Sequence, residues 1–135
     1  MKDINIISNI FNNDKIDVNI KSFSRVSKEN IIEETESTAI YYAILHKKLD
    51  IIKLLLSKAE IDINFVQMKT IISNDTFFIE KTTILQSAMS SNNADILQLL
   101  LIYLKKYNKI TVNLNDIIKM TNDAKIKSII YSYMD

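Results

Sequence analysis

A single histidine, His46, is the only imidazole this chain offers for acid–base or metal chemistry. A metal site at His46 would need three or more carboxylates or carbonyls to join it, and no acidic residues are spaced for that. The acidic run Glu33-Glu34-Thr35-Glu36 holds paired carboxylates but has no partner acid or base, and it reads as a solvated face. The serines have one histidine between them and no G-x-S-x-G turn, so no triad can be assembled. Cysteine is absent, which excludes disulfides, thiolate metal sites and a cysteine nucleophile. Glycine is absent too, and with it the loops that bring a backbone close to phosphates, so Walker-type and dinucleotide-type sites are excluded. No catalytic set and no cofactor or metal site is expected; the chain does not read as an enzyme.

The bulk of the sequence narrows the remaining classes. At 135 residues with a net charge of +1, the chain has the size of one domain and no field that calls for nucleic acid or an anionic membrane. Its lysines are dispersed, without the basic and aromatic interleaving of a nucleic-acid surface. The start, Met1-Lys2-Asp3-Ile4-Asn5, lacks the apolar core and cleavage site of a secretory signal. The most apolar stretch, residues 96–104, is too short to span a bilayer and contains Gln98. With nothing directing it elsewhere, a cytoplasmic monomer is expected. Because proline is also missing, Asn, Asp and Ser must make the turns.

An internal period sets the elements. Thr38-Ala39-Ile40-Tyr41-Tyr42-Ala43 falls on Thr83-Ile84-Leu85-Gln86-Ser87-Ala88, and Leu49-Asp50-Ile51-Ile52-Lys53-Leu54-Leu55-Leu56 falls on Ala94-Asp95-Ile96-Leu97-Gln98-Leu99-Leu100-Leu101, at one offset without a gap. Stepping back by the same offset places Ile61-Asp62-Ile63-Asn64 on Ile16-Asp17-Val18-Asn19 and Leu55-Leu56 on Ile10-Phe11. A further copy closes at Ile110-Thr111-Val112-Asn113. Each unit reads as helix, turn, helix and extended finger. Thr38 and Thr83 stand at N-caps, where a hydroxyl accepts from an orphan N–H. Ala43 and Ala88 are small where two short helices must pack closely. Residues 65–82 carry two strand-like stretches around Ser73-Asn74-Asp75, a hairpin signal.

The stretch from Thr38 to Asn64 resembles an ankyrin repeat, whose pattern runs T-P-L-H-x-A-A, a glycine turn, x-x-x-V-V-x-L-L-L and A-D-V-N. The following unit keeps Thr83, Leu85, Ala88, Leu99-Leu100-Leu101 and Val112-Asn113. The resemblance implies an all-α fold, an α-solenoid whose helix-turn-helix units are joined by long hairpin-like fingers. The expected division is one domain: a partial repeat over 1–37, repeats over 38–82 and 83–114, and a C-terminal capping repeat over 115–135. The fingers exceed the usual ankyrin unit, as in long-finger variants common in protist proteomes. The family's Pro and His become Ala39 and Tyr41, then Ile84 and Gln86, so the histidine's hydrogen bonds must be replaced or lost. Its turn glycine becomes Lys47 and Asn92, and a left-handed Lys47 would cost on the order of 1 kcal/mol. The first repeat has no room for an inner helix before Asn5, so the chain either starts on a cap or is a piece of a longer array.

The resemblance further implies binding of another protein, as an adaptor or regulator, along the concave surface of inner helices and fingers. By family position the candidate contacts are Leu45 and His46, then Ser90 and Ser91, on the inner helices. The finger bases offer Thr35, Ser37, Glu80 and Thr82, and the long finger adds Gln67, Lys69, Asp75, Phe77 and Phe78. An exposed Phe77 or Phe78 would be an aromatic anchor; the plainer expectation is that such a ring packs on its own hairpin or the next repeat. Of Tyr41 and Tyr42, one should pack and one reach the groove. The alternative function is a structural or oligomerisation segment, which buries an apolar array end near residues 4–10 or 126–133 against a copy.

Overall fold

The computed structural model describes residues 17–107, 109–110 and 112–134. The expectations placed on residues 1–16, including an apolar end at 4–10 and the matches at Ile10-Phe11 and Ile16, lie outside the described residues, as does Thr111.

Two strands, β1 (Ser22–Lys28) and β2 (Ile31–Ser37), precede helices α1 (Ala39–Leu45) and α2 (Leu49–Leu56). The order then repeats as β3 (Gln67–Ser73), β4 (Thr76–Thr82), α3 (Ile84–Ser91) and α4 (Ala94–Lys106), followed by α5 (Leu114–Ile118) and α6 (Ala124–Tyr131). Corresponding strands start and end at the offset seen in the sequence. So do the four residues with positive φ: Glu29 and Asn74 both lie at 52°, and Lys47 and Asn92 at 56° and 52°. These are the points where the chain reverses, and without glycine each carries a Cβ into the left-handed region.

The helices form two rows. Inner helices α1, α3 and α5 pack in succession, as do outer helices α2, α4 and α6, and each inner helix packs on its outer partner. Between the rows lies one apolar core, with Ile40, Ile44, Ile52, Leu55, Leu85, Ile96, Leu97, Leu100 and Leu101 at its centre. Ala43 and Ala88 are buried in it, as the small residues predict. Each fully buried aliphatic side chain contributes roughly 1.5–3 kcal/mol against exposure. The Asp-x-Asn at residues 17–19 and 62–64 has a local reason: the Asp17 and Asp62 carboxylates accept from the Asn19 and Asn64 N–H groups at 2.9 and 3.0 Å. Asn19 then ties its loop to the next, donating to the Glu60 carbonyl and accepting from the Asp62 N–H, each at 2.6 Å.

The all-α expectation fails. The fingers join into one four-stranded antiparallel sheet, ordered β1-β2-β3-β4, and the architecture mixes α and β. The cause is a coincidence of spacings. Packed helices stand about 8–10 Å apart, and a hairpin is two strands wide at about 4.8 Å each. Neighbouring fingers therefore meet at hydrogen-bonding distance, and β2 pairs with β3 from Ile31↔Ser73 to Glu36↔Met68.

The N-cap expectation holds at one threonine and fails at the other. Thr83 accepts from the Gln86 N–H at 3.3 Å while Gln86 Oε1 accepts from the Thr83 N–H at 2.9 Å, a complete capping box. Thr38 caps nothing, and its buried hydroxyl has no hydrogen-bond partner. Its third helical residue is Tyr41, which has no side-chain carbonyl to complete the box and is committed elsewhere.

Candidate protein-binding surface

Residues paired directly across antiparallel strands project to the same side, and neighbours along a strand to opposite sides. The register therefore places Ser22, Thr35, Ser37, Gln67, Lys69, Phe78, Glu80 and Thr82 on one face of the sheet. The other face carries Phe23, Arg25, Ile32, Glu34, Met68, Ile72, Phe77 and Ile79.

A contact at the base orients the first face. The Ser22 hydroxyl donates to Tyr42 Oη at 3.3 Å. Leu45 and His46 lie three and four residues beyond Tyr42, so each neighbours it on the side of α1 that meets this face. Leu45 is 66 % exposed and His46 is exposed at the end of the helix. The reversal behind them is closed by Lys48 N–H on the Ala43 carbonyl at 2.8 Å and Lys47 N–H on the Ile44 carbonyl at 3.0 Å, with Lys47 left-handed. The result is an angle with the sheet face as one wall and the end of α1 as the other. Ser90 occupies the equivalent exposed position on α3.

Not every predicted contact is available there. Ser37 is fully buried, and its hydroxyl donates to Gln67 Oε1 at 2.6 Å, so the pair fixes the sheet base. Ser91 donates back to the Ala88 carbonyl of its own helix at 2.6 Å. Thr35, Lys69 and Thr82 are half-buried, whereas Glu80 is exposed and Asp75 sits exposed on the turn. Both phenylalanines are exposed, 68 % for Phe77 and 56 % for Phe78, so the expectation that they pack on their own hairpin is not met. They do not act together: Phe78 looks into the angle and Phe77 out of the opposite face.

That opposite face holds residues the sequence reading missed. Phe23, Arg25, Glu34, Glu36, Met68 and Thr70 surround a concavity of about 300 Å³. A sequence signal existed only for the second finger; the charged strands of the first do not alternate as a half-buried strand does.

Tyr41 and Tyr42 differ in burial, Tyr42 being half-buried. Tyr41 is buried, and its hydroxyl lies between the carbonyls of Phe65, to which it donates, and Thr82 at 3.1 Å. Burial pushes its phenol up to about 12; the Gln67 backbone N–H opposes this and the Asp62 charge adds to it. Tyr41 stands where the T-P-L-H pattern has histidine, and it replaces that ring's polar contacts by linking α1 to the bases of both β3 and β4. Among the described residues no group of three or more His, Asp or Glu is placed to hold a metal ion, and no helix is long and apolar enough to cross a membrane.

A family model of ankyrin repeats in three copies matches residues 23–116. The chain belongs to the ankyrin-repeat family. No curated protein and no solved structure matches it. Ankyrin repeats are in general protein–protein interaction modules rather than catalytic ones.

Proposed function

We propose that this ankyrin protein is an adaptor or regulator that holds a partner protein in the angle between the first sheet face and the ends of α1 and α3. The supporting observation is the pairing of Leu45 with Phe78, two large apolar side chains exposed on the two walls. Around them stand His46, Lys69, Glu80 and Ser90, a polar rim about an apolar centre, which is the composition of a protein-recognition patch. Of the two apolar ends considered for an oligomerisation segment, the C-terminal one keeps Ile126 and Ile130 in the core and leaves Tyr131 exposed.

Partner capture from cells with tagged protein, followed by the double variant Leu45→Ala/Phe78→Ala, tests this reading. Neither side chain supports the core, so the variant keeps its helical and strand signal while partner recovery falls at least tenfold, a loss of about 1.4 kcal/mol or more. Unchanged recovery with the folded variant overturns the assignment of the angle, and a chain with Phe77→Ala serves as the control from the opposite face.

A further inference from the structure

The helix rows and the sheet end differently. Helices α5 and α6 cover α3 and α4, but among the described residues no finger lies between α4 and α5. Among the described residues no strand pairs with the outer edge of β4. A two-residue turn makes Ser73 and Thr76 a hydrogen-bonded closing pair, and alternation then points the N–H and C=O of Phe77, Ile79 and Lys81 away from β3. Edge strands usually carry a bulge, a proline or charges that forbid further pairing. This one has no proline and confines its charges to Glu80 and Lys81 near its end, while its successive Phe77, Phe78 and Ile79 are all exposed.

We propose that β4 pairs antiparallel with β4 of a second copy of this chain, about a two-fold axis at Ile79, so that two four-stranded sheets become one. In that register the outward groups of Ile79 meet those of the partner's Ile79, and those of Phe77 meet those of the partner's Lys81. Every outward N–H and C=O of the strand is then used. The side chains agree with the backbone: Ile79 lies against its own kind, and the Lys81 ammonium lies beside the partner's Phe77 ring, a favourable cation–aromatic pairing. Glu80 faces the partner's Phe78 and never the partner's Glu80.

Other pairings of copies fail on this structure. Joining β4 to the partner's β1 with the β2–β3 register would place the partner's α1 and α2 where α5 and α6 already pack. Joining β1 to the partner's β1 would centre the axis on Arg25, since its outward residues are Phe23, Arg25 and Ser27, and would set two guanidinium groups against each other. The β4 pairing has neither fault, because antiparallel strands put the two helix stacks at opposite ends of the joined sheet.

Because the chain has no cysteine, single cysteines report the register directly. Facing Cα atoms of a hydrogen-bonded pair are about 5.5 Å apart, within the span of a disulfide. Ile79→Cys, oxidised at roughly 100 µM to suit a small interface, is expected to give a cross-linked dimer as its main product. Phe78→Cys and Glu80→Cys lie off the axis, beyond disulfide reach of their own copies, and should cross-link roughly fivefold less. Equal cross-linking at the three positions, or none at Ile79→Cys, overturns the proposal. Sedimentation of the unmodified chain at the same concentration should show dimer, and Ile79→Lys, with an unchanged circular dichroism spectrum, should show monomer. A strict monomer in the unmodified chain also overturns it and leaves the edge to a strand from another protein.

Discussion

Replacing Tyr41 with phenylalanine removes one oxygen atom and leaves the ring that packs edge-on to Phe65, 6.3 Å between centroids. The deleted hydroxyl serves the carbonyls of Phe65 and Thr82, at a site where Tyr41 is only 2 % exposed and water cannot take its place. A buried acceptor left without a donor costs about 1–3 kcal/mol. For a chain of this length, that corresponds to a melting temperature lower by roughly 3–12 °C. The pH dependence makes the test specific. In the folded chain the phenol is raised from 10.0 to about 12, mainly by burial. The folded state therefore favours the neutral phenol, and this stabilisation is complete below pH 10 and is lost as pH rises through 12. The whole loss is on the order of 3 kcal/mol, from a rise of about two pKa units. Urea titrations of both proteins between pH 8 and about 11.5 should show the native chain losing its advantage over Tyr41→Phe as the pH climbs past its ordinary value. Equal stability at pH 8, or two pH profiles that run parallel, would refute the account of Tyr41 as the tie between α1 and the finger bases.

Lys47 holds a left-handed backbone that glycine adopts without steric cost, so Lys47→Gly should stabilise the chain by about 1 kcal/mol in thermal or urea melts, although most glycine substitutions in helical regions destabilise. The two threonines should part company: Thr83→Val loses a working cap and costs about 1 kcal/mol, whereas Thr38→Val removes a buried hydroxyl without a partner and is neutral or stabilising, checked by the same melts. At the turn of the first finger, Glu29→Asn should gain about 0.5–1 kcal/mol, because asparagine tolerates positive φ better than glutamate; a loss of stability would mean the turn is not left-handed there.

The helices and their spacing were legible because each is written twice, with the apolar face of Ile51-Ile52-Leu54-Leu55 repeated in Ile96-Leu97-Leu99-Leu100. Two of the four left-handed residues could be found, since an expected glycine turn points to Lys47 and Asn92. The sheet was not legible. Glu33-Glu34-Thr35-Glu36 has no alternation to mark a strand; it becomes one through pairing with β1 on one side and β3 on the other, a relation between fingers that no single finger records. Thr38 misled because it takes the N-cap position, as the pattern predicts, without its hydroxyl making the cap bond. The proposed binding surface was half visible: the sequence offered Leu45, His46 and Phe78 as candidates, but grouped Phe77 with Phe78 when a strand must part them. Ser37 sits at a position where repeats vary freely, and only the side chain of Gln67 decides that it is spent inside.

The missing third finger has a consequence for how the molecule opens. The first two repeats are held to each other twice, by helix packing and by the backbone ladder between β2 and β3. Unzipping either one breaks both. The last helix pair, α5 and α6, is attached through helix faces alone, and its inner member is a five-residue helix. Local opening should begin there, since a unit held through helix faces without a ladder has the least to lose on separating. Native-state hydrogen exchange would show it as two tiers of protection. Amides from Leu114 to Tyr131 would exchange through a low-energy opening of their own, while those of β2, β3, α1 and α3 would wait for the rest of the chain.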